Sequence, residues 1–358
     1  MFSSSPCWSI FIAVCGGTPN KTMAGARNRQ VILAERPLGI PEARHFELRE
    51  TPMPEAGDGE ILVRNHFLSV DPAMRGWVNE AANYSQPVAI GAVMRSFAAG
   101  EVVRSNHADY APGDLVCGMF GWTEHAVSDG ANVVFRHDMA EVPLSTSLGV
   151  LGVNGITAYF ALLDIGAPKA GETVVVSTAA GSVGSAVGQI ARIKGCRSVG
   201  LTGSGEKVRQ CLAEFGYDAA IDYRAGDLDR ALAEACLDGV DVYFDNTAGA
   251  ISDAVYRRLN IAARCVVCGT ASEASWEPWP EGPRVERHLL VKRARIEGFL
   301  LFDYAARYQE ARAQLAEWLS QGKLTYREHV LDGLHEAPGA ISRLYAGENH
   351  GKLLIRLD

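Results

Sequence analysis

The chain has 358 residues, 47% of them hydrophobic and 21% charged, which is room for two domains with their own cores and excludes disordered, collagen-like and small disulfide-stapled chains. Its 34 Lys and Arg against 42 Asp and Glu leave a net charge of −8, so the chain lacks the positive field that nucleic acid or an anionic membrane surface requires. Small molecules are the expected partners, and the 37 glycines, a surplus over the average of about 7%, are informative where they cluster.

Residues 1–27 read as an extension, disordered or an over-extended start. Ile10 to Cys15 is apolar between Ser9 and Gly16-Gly17, with no basic residue before Lys21. A secretory signal needs a positive region ahead of its apolar core, and a membrane span needs about 18–20 apolar residues. The segment supplies neither, and Met23 opens a more ordinary beginning. Eight cysteines (7, 15, 117, 196, 211, 236, 265, 268) are scattered, the spacing of reduced thiols in a cytoplasmic protein. Cys265 and Cys268 form a CxxC, but the run from Arg264 to Cys268 reads as a buried strand.

From Gln30 to about Val142 short β-type runs alternate with turn signals: Gln30 to Ala34, Glu60 to His66, Gly100 to Val103, and Asp114 to Gly118 after Pro112-Gly113. This half predicts an antiparallel or barrel-like β domain. Past Leu151 the rhythm changes. Thr173 to Thr178 is a β-branched run, and Val183, Val187 and Ile190 then mark one face of a helix. Strand-like runs return at Ser198 to Leu201, Ala220 to Tyr223, Val240 to Phe244, Arg264 to Cys268 and Arg295 to Leu300. Most gaps between them hold a crossover helix, so the second half predicts a doubly wound parallel sheet and the chain an α/β protein. A helix is expected around Tyr308 to Leu319, and short runs near Glu328 to Leu331 and Lys352 to Leu357.

Between that first strand and helix lies Ala179-Ala180-Gly181-Ser182-Val183-Gly184. The dinucleotide fingerprint needs a tight turn, a residue without a side chain where backbone N–H groups approach pyrophosphate, and a third for close packing. Ala179, Gly181 and Gly184 hold those positions, at a helix start suited to an anion. After the second strand, Ser204 and Lys207 suit a 2′-phosphate, where an acidic residue would suit a 2′-hydroxyl; Glu206 argues the other way. NADP(H) is therefore the expected cofactor. Asp245-Asn246, Gly269-Thr270-Ala271-Ser272 and Phe299-Leu300 leave the later strands at the carboxyl edge, where a nicotinamide would lie.

Several motifs then occur in order: Val70-Asp71-Pro72-Ala73-Met74-Arg75-Gly76, Gly118-Met119-Phe120-Gly121-Trp122, Asn154 to Phe160, the glycine loop, Phe244-Asp245-Asn246, Cys268-Gly269, Gly298-Phe299 and Gly347-Glu348-Asn349 before Gly351-Lys352. From about Gln30 onward the chain resembles the zinc-independent medium-chain dehydrogenase/reductases of the leukotriene B4 12-hydroxydehydrogenase, prostaglandin reductase and plant double-bond reductase group, with its bacterial curcumin reductase-like members. The resemblance implies NADPH-dependent reduction of the C=C bond of an α,β-unsaturated ketone or aldehyde, with hydride to the β-carbon and then protonation of the enolate. It implies a GroES-like domain at 28–149, rejoined by 327–358, and a Rossmann NADP-binding domain at 150–326. It also implies a cofactor shell of Gly181, Ser182, Val183, Gly184, Ser204, Lys207, Tyr223, Asn246, Cys268, Gly269, Thr270, Ala271, Ser272, Phe299, Leu300, Leu301 and Asn349. A homodimer is implied as well.

Two departures from the family pattern stand out. Ala73 occupies a position often held by Tyr, and Ser272-Glu273-Ala274-Ser275-Trp276 replaces a stretch that often carries Tyr-Asn. Tyr84 matches another tyrosine near the substrate and is the candidate to orient or protonate the enolate, with solvent or the nicotinamide ribose hydroxyl as alternatives. No cluster of Cys and His has the spacing of a zinc site; His66 and Cys117 stand isolated in β runs. Two other readings stay open: a zinc-free quinone oxidoreductase, and an NADP-binding protein without turnover.

Overall fold

The computed structural model describes residues 26–80, 84–139, 141–273 and 278–357. Residues 1–25 of the expected head, with Cys7 and Cys15, and Ala274 and Trp276 lie outside the described residues; Arg27, the last residue of that expected extension, instead opens the first strand, paired with Pro52.

The first part supplies β1 (Arg27–Leu33), β2 (Phe46–Pro52), β3 (Ile61–Ser69), the short helix α1 (Ala73–Trp77), β4 (Ala98–Ser105), β5 (Leu115–Gly118), β6 (His125–Ser128) and β7 (Val133–Arg136). The first two strands form an antiparallel ribbon. β3, β4, β5 and β7 pair antiparallel in that order, and β6 also pairs with β3. From residue 153 helices and strands alternate: α2 (Val153–Phe160), β8 (Thr173–Ser177), α3 (Ser182–Ile193), β9 (Arg197–Thr202), α4 (Gly205–Ala213), β10 (Ala219–Asp222) and α5 (Leu228–Ala235). They continue as β11 (Val240–Asp245), α6 (Gly249–Tyr256), β12 (Leu259–Val267), α7 (Glu286–Lys292), β13 (Arg295–Gly298) and α8 (Tyr308–Ser320). Finally β14 (Glu328–Asp332), α9 (Ala337–Ala346) and β15 (Lys352–Arg356) return to the first sheet, where β15 runs antiparallel to β3 and parallel to β14.

The strands from β8 to β13 form a parallel sheet in the order β10-β9-β8-β11-β12-β13. Numbered within the sheet this is 3-2-1-4-5-6, the doubly wound order whose direction reverses beside its first strand. The period of two in each strand divides the side chains between two cores. Val174, Val176, Val242, Phe244 and Val266 join the main core, while Val175, Tyr243 and Cys265 join the core on the other face. Every residue of β8 is buried, as expected for a strand covered on both faces.

This alternation corrects one detail of the sequence reading. β12 ends at Val267, so Cys268 lies just beyond the strand, partly buried against the main core, while Cys265 belongs to the opposite one. The CxxC spacing therefore sends its two sulfurs into different cores. Likewise β13 ends at Gly298, leaving Phe299 and Leu300 on the exit turn. Among the described residues no helix is long and apolar enough to cross a membrane.

Candidate functional site

The carboxyl ends of β8 and β11 flank the point where the sheet reverses, and the glycine loop leaves β8 there. The loop's positive φ, 51°, falls on Thr178 and not on a glycine, which is why Ala179 can occupy the first fingerprint position. A positive φ on a β-branched residue is a strained geometry of the kind found at ligand sites. Gly181 caps α3 and its N–H donates to the Thr178 carbonyl at 2.8 Å. At Gly184 a Cβ would lie 2.4 Å from that same carbonyl, so only glycine lets the helix start this close to the strand. The buried Tyr217 hydroxyl donates to the Gly184 carbonyl at 2.6 Å and holds the turn from behind. The N–H groups of the first turn of α3 have no partner within the helix, which makes the turn a fit for pyrophosphate oxygens. Ser182 and Val183 lie in that turn.

At the far corner, Ser204 caps α4 and accepts from the Lys207 N–H at 3.3 Å. The Lys207 ammonium is half-buried and donates to the Gly347 carbonyl at 2.7 Å. Burial, and then the charge of Arg224, hold its pKa below the ordinary lysine range. Tyr223 stands behind Gly203, where an added Cβ would meet its hydroxyl at 2.8 Å. The guanidinium of Arg224 lies 5.8 Å from the Tyr223 ring centre. The sequence reading missed Arg224; its position next to Tyr223 and its basic side chain were the available signals. Glu206, the residue that argued for a 2′-hydroxyl, lies 3.7 Å from His350 Nδ1. Lys207, Arg224, Ser204 and Tyr223 thus fit a phosphorylated ribose.

At the nicotinamide end, the Asn246 amide donates to the Ser177 carbonyl at 2.7 Å and its N–H to the Ser177 hydroxyl at 2.8 Å, so its side chain is fixed across the sheet reversal. The segment after β12 is laid onto the exit of β11. Cys268 N–H donates to the Asp245 carbonyl at 2.8 Å, Gly269 N–H to the same oxygen at 3.1 Å, Ala271 N–H to the Asn246 carbonyl at 3.0 Å, and Ser272 N–H to the Thr247 carbonyl at 3.0 Å. The Cys268 thiol is pushed up to about 12 by burial and is a neutral wall at physiological pH. Phe299 and Leu301 pack against the main core at the neighbouring strand exit, and Leu300 begins the next helical turn. Asn349 is buried, with its amide donating to the Gly351 carbonyl at 2.7 Å.

The wall facing this end comes from the first sheet. Asp71, after β3, binds the Lys352 ammonium at 2.5 Å, and that ammonium also donates to the Ser69 hydroxyl at 2.6 Å and the Val70 carbonyl at 3.2 Å. Asn154 donates to Asp71 at 3.4 Å. From α1, Arg75 reaches the carbonyls of Thr270 and Glu273. Ala73 is partly buried against the main core. Tyr84 is 53% exposed, with its ring 6.4 Å from that of Phe302. Partial burial raises its phenol pKa, and Asp71 and Cys268 are among the groups acting on it. The sequence identified the Asp71 motif through its family pattern but not the Arg75 contact. Among the described residues no group of three or more His, Cys, Asp or Glu could hold a metal ion. His66 is half-buried with Glu101 at 3.9 Å, and Cys117 is buried with its thiol donating to the Ser147 carbonyl at 3.4 Å.

Residues 29–135 match the family described as N-terminal domain of oxidoreductase, and residues 182–320 the family described as zinc-binding dehydrogenase. The NADPH-dependent curcumin reductase of Escherichia coli (strain K12) is 43% identical over 336 residues, covering 92% of this chain and 97% of the relative. The NADP(+)-dependent 2-alkenal reductase of Nicotiana tabacum is 37% identical over 337 residues, covering 92% and 98%. The crystal structure of CurA from Vibrio vulnificus in complex with NADPH superposes with a TM-score of 0.88 at 42% identity, covering 92% of this chain and 99% of that one.

Proposed function

Since the chain belongs to the zinc-independent medium-chain dehydrogenase/reductase family, we propose that it is an NADPH-dependent reductase of the C=C bond of α,β-unsaturated ketones and aldehydes. The observation that carries the reading is a tight turn at the sheet reversal, closed by a glycine-only position at Gly184, joined along one edge to a cationic corner at Lys207 and a facing wall at Asp71 and Arg75. Likeness over more than nine-tenths of the chain to relatives named for curcumin and 2-alkenal reduction supports it.

Gly181, Ser182, Val183 and Gly184 would hold the pyrophosphate through backbone N–H groups. Ser204, Lys207, Tyr223 and Arg224 would hold the adenosine ribose and its phosphate. Asn246, Cys268 to Ser272, Phe299 to Leu301 and Asn349 would line the nicotinamide ribose and ring. NADPH supplies, when bound, the hydride that goes to the β-carbon, leaving an enolate that takes a proton at the α-carbon. The chain's own contribution is position and electrostatics. Asn246, immobilised by Ser177, keeps a polar edge at the strand exit, while Cys268, held as a neutral thiol, excludes water without adding charge. Tyr84 keeps its proton at neutral pH and would hydrogen-bond the substrate carbonyl or the enolate, with solvent and the ribose hydroxyl as other proton sources.

The domain boundaries proposed for this activity are 28–149 with 327–358 for the substrate side and 150–326 for the cofactor side. A homodimer is proposed through the outer edge of the parallel sheet. β13 is exposed there, α7 buries none of its residues, and Ile261, Leu290 and Val291 are exposed. The cytoplasm is the proposed location, supported by described cysteines that are all free thiols.

NADPH oxidation followed by absorbance with a panel of enones, alkenals and quinones tests the reading. Turnover with enones or alkenals supports it. A preference for quinones, or tight NADPH binding without oxidation, overturns it.

A further inference from the structure

We propose that Arg75 is a positioning residue that fixes the segment Cys268 to Glu273, and with it the nicotinamide end of the cofactor site, to the substrate side of the cleft. The proposal rests on the NADPH reading above.

Arg75 lies in α1, a helix of five residues carried on the exit of β3. Its guanidinium donates to the Glu273 carbonyl and, at 3.1 Å, to the Thr270 carbonyl. Its carbon lies 5.0 Å from the centre of the Tyr345 ring, and the Tyr345 hydroxyl donates to the Pro72 carbonyl at 3.0 Å. The planar fork is therefore held on its face by an aromatic ring and engaged on its edge by two main-chain acceptors. A guanidinium suits this arrangement because its donors diverge in one rigid plane, while an ammonium offers a single point charge.

The segment that Arg75 grips has its other polar edge already committed. The N–H groups of Cys268, Gly269, Ala271 and Ser272 bind the exit of β11, and the Ser272 hydroxyl donates to the Thr247 carbonyl at 2.6 Å. Arg75 takes the Glu273 carbonyl and shares the Thr270 carbonyl with the Glu273 N–H, which donates to it at 3.1 Å. Two anchors thus act on one short segment, one from the parallel sheet and one from the facing wall. The Arg75 anchor is itself seated, because Asp71, two residues before α1, is bound by the buried Lys352. Among the described residues no hydrogen bond or ion pair of Arg75 runs to the glycine loop or to Lys207, although its ring partner Tyr345 lies two residues before Gly347.

Loss of the guanidinium should consequently affect one end of the cofactor and spare the other. Calorimetric titration of wild-type protein, Arg75→Ala and Arg75→Lys with NADPH and with 2′,5′-ADP, which has the phosphorylated adenosine but no nicotinamide, reads this directly. The expected result for Arg75→Ala is about ten- to hundredfold weaker NADPH binding, with 2′,5′-ADP binding changed by less than about twofold. Arg75→Lys, which keeps the charge and the aliphatic stem, falls between wild type and Arg75→Ala for NADPH, and it carries the test if the alanine variant does not fold. Equal losses for both ligands, or no loss for either, would overturn the positioning role alone. Wild-type protein that binds neither ligand would overturn the NADPH reading and this role with it.

Discussion

The Lys207 ammonium and the Gly347 carbonyl meet at 2.7 Å, joining the first turn of α4 to the turn that follows α9. The acceptor is neutral, so the bond orients the ammonium without cancelling its charge. In a chain of net charge −8, this corner supplies a local positive field against the global sign, with Arg224 alongside and the helix start behind.

Lys207→Ala is therefore expected to weaken NADPH by about ten- to hundredfold more than NADH, the worth of a charge-assisted bond to phosphate. Dissociation constants for the two cofactors check this. Equal losses for both would remove Lys207 from the 2′-phosphate.

Tyr84 is half-exposed, so water can take its place when the phenol is removed. An orienting bond of about 1 kcal/mol then predicts that Tyr84→Phe lowers kcat/KM for an enone about fivefold and leaves NADPH affinity unchanged. A loss of about a hundredfold or more would instead make the phenol the proton donor. No change in kcat/KM would leave it neither role.

Much of this architecture is written locally. The β-branched run of β8, the glycines after it and the helical spacing of Val183, Val187 and Ile190 announce a strand, a turn and a helix, because each follows from neighbours within a few residues. The same holds for Gly184, whose constraint comes from Thr178 six positions back. The contacts that assemble the site are of another kind. Lys207 and Gly347 are 140 residues apart, Arg75 and Glu273 are 198, and Asp71 and Lys352 are 281. No periodicity encodes such pairs. The family pattern marked Asp71, Arg75 and Lys352 as motif positions without showing what they touch, and Arg224 was marked only by its basic side chain next to Tyr223. Ala73 illustrates the converse: its departure from the family pattern was plain in the sequence, while its packing against the core was not.

Lys352 and Asp71 are both nearly fully buried, at 3% and 7% exposure, and each holds the other's charge. Removing one partner leaves an uncompensated buried ion, so Lys352→Met should cost about 3–5 kcal/mol in urea denaturation. Combining it with Asp71→Asn should cost less than the sum of the two single changes. Strict additivity would show that the two side chains do not act as a pair.

Stability should also fall on mild acidification. His66 and His125 have folded-state pKa values lowered from 6.5, first by burial and with Arg64 adding in the same direction. Between those lowered values and 6.5 the unfolded chain binds more protons, so stability is complete above 6.5 and declines as pH falls through the window. Thermal unfolding midpoints should drop as pH falls below about 6.5, and His125→Gln should flatten that slope. A slope identical in the variant would remove His125 from the effect.

C=C reduction is tested most directly by the fate of deuterium from NADPH labelled at nicotinamide C4, followed by NMR of the product from an α,β-unsaturated ketone. Hydride transfer to the C=C bond puts deuterium on the β-carbon of a saturated ketone whose carbonyl is intact. Deuterium on a carbinol carbon, or an unlabelled and unreduced substrate in the presence of bound cofactor, would contradict it.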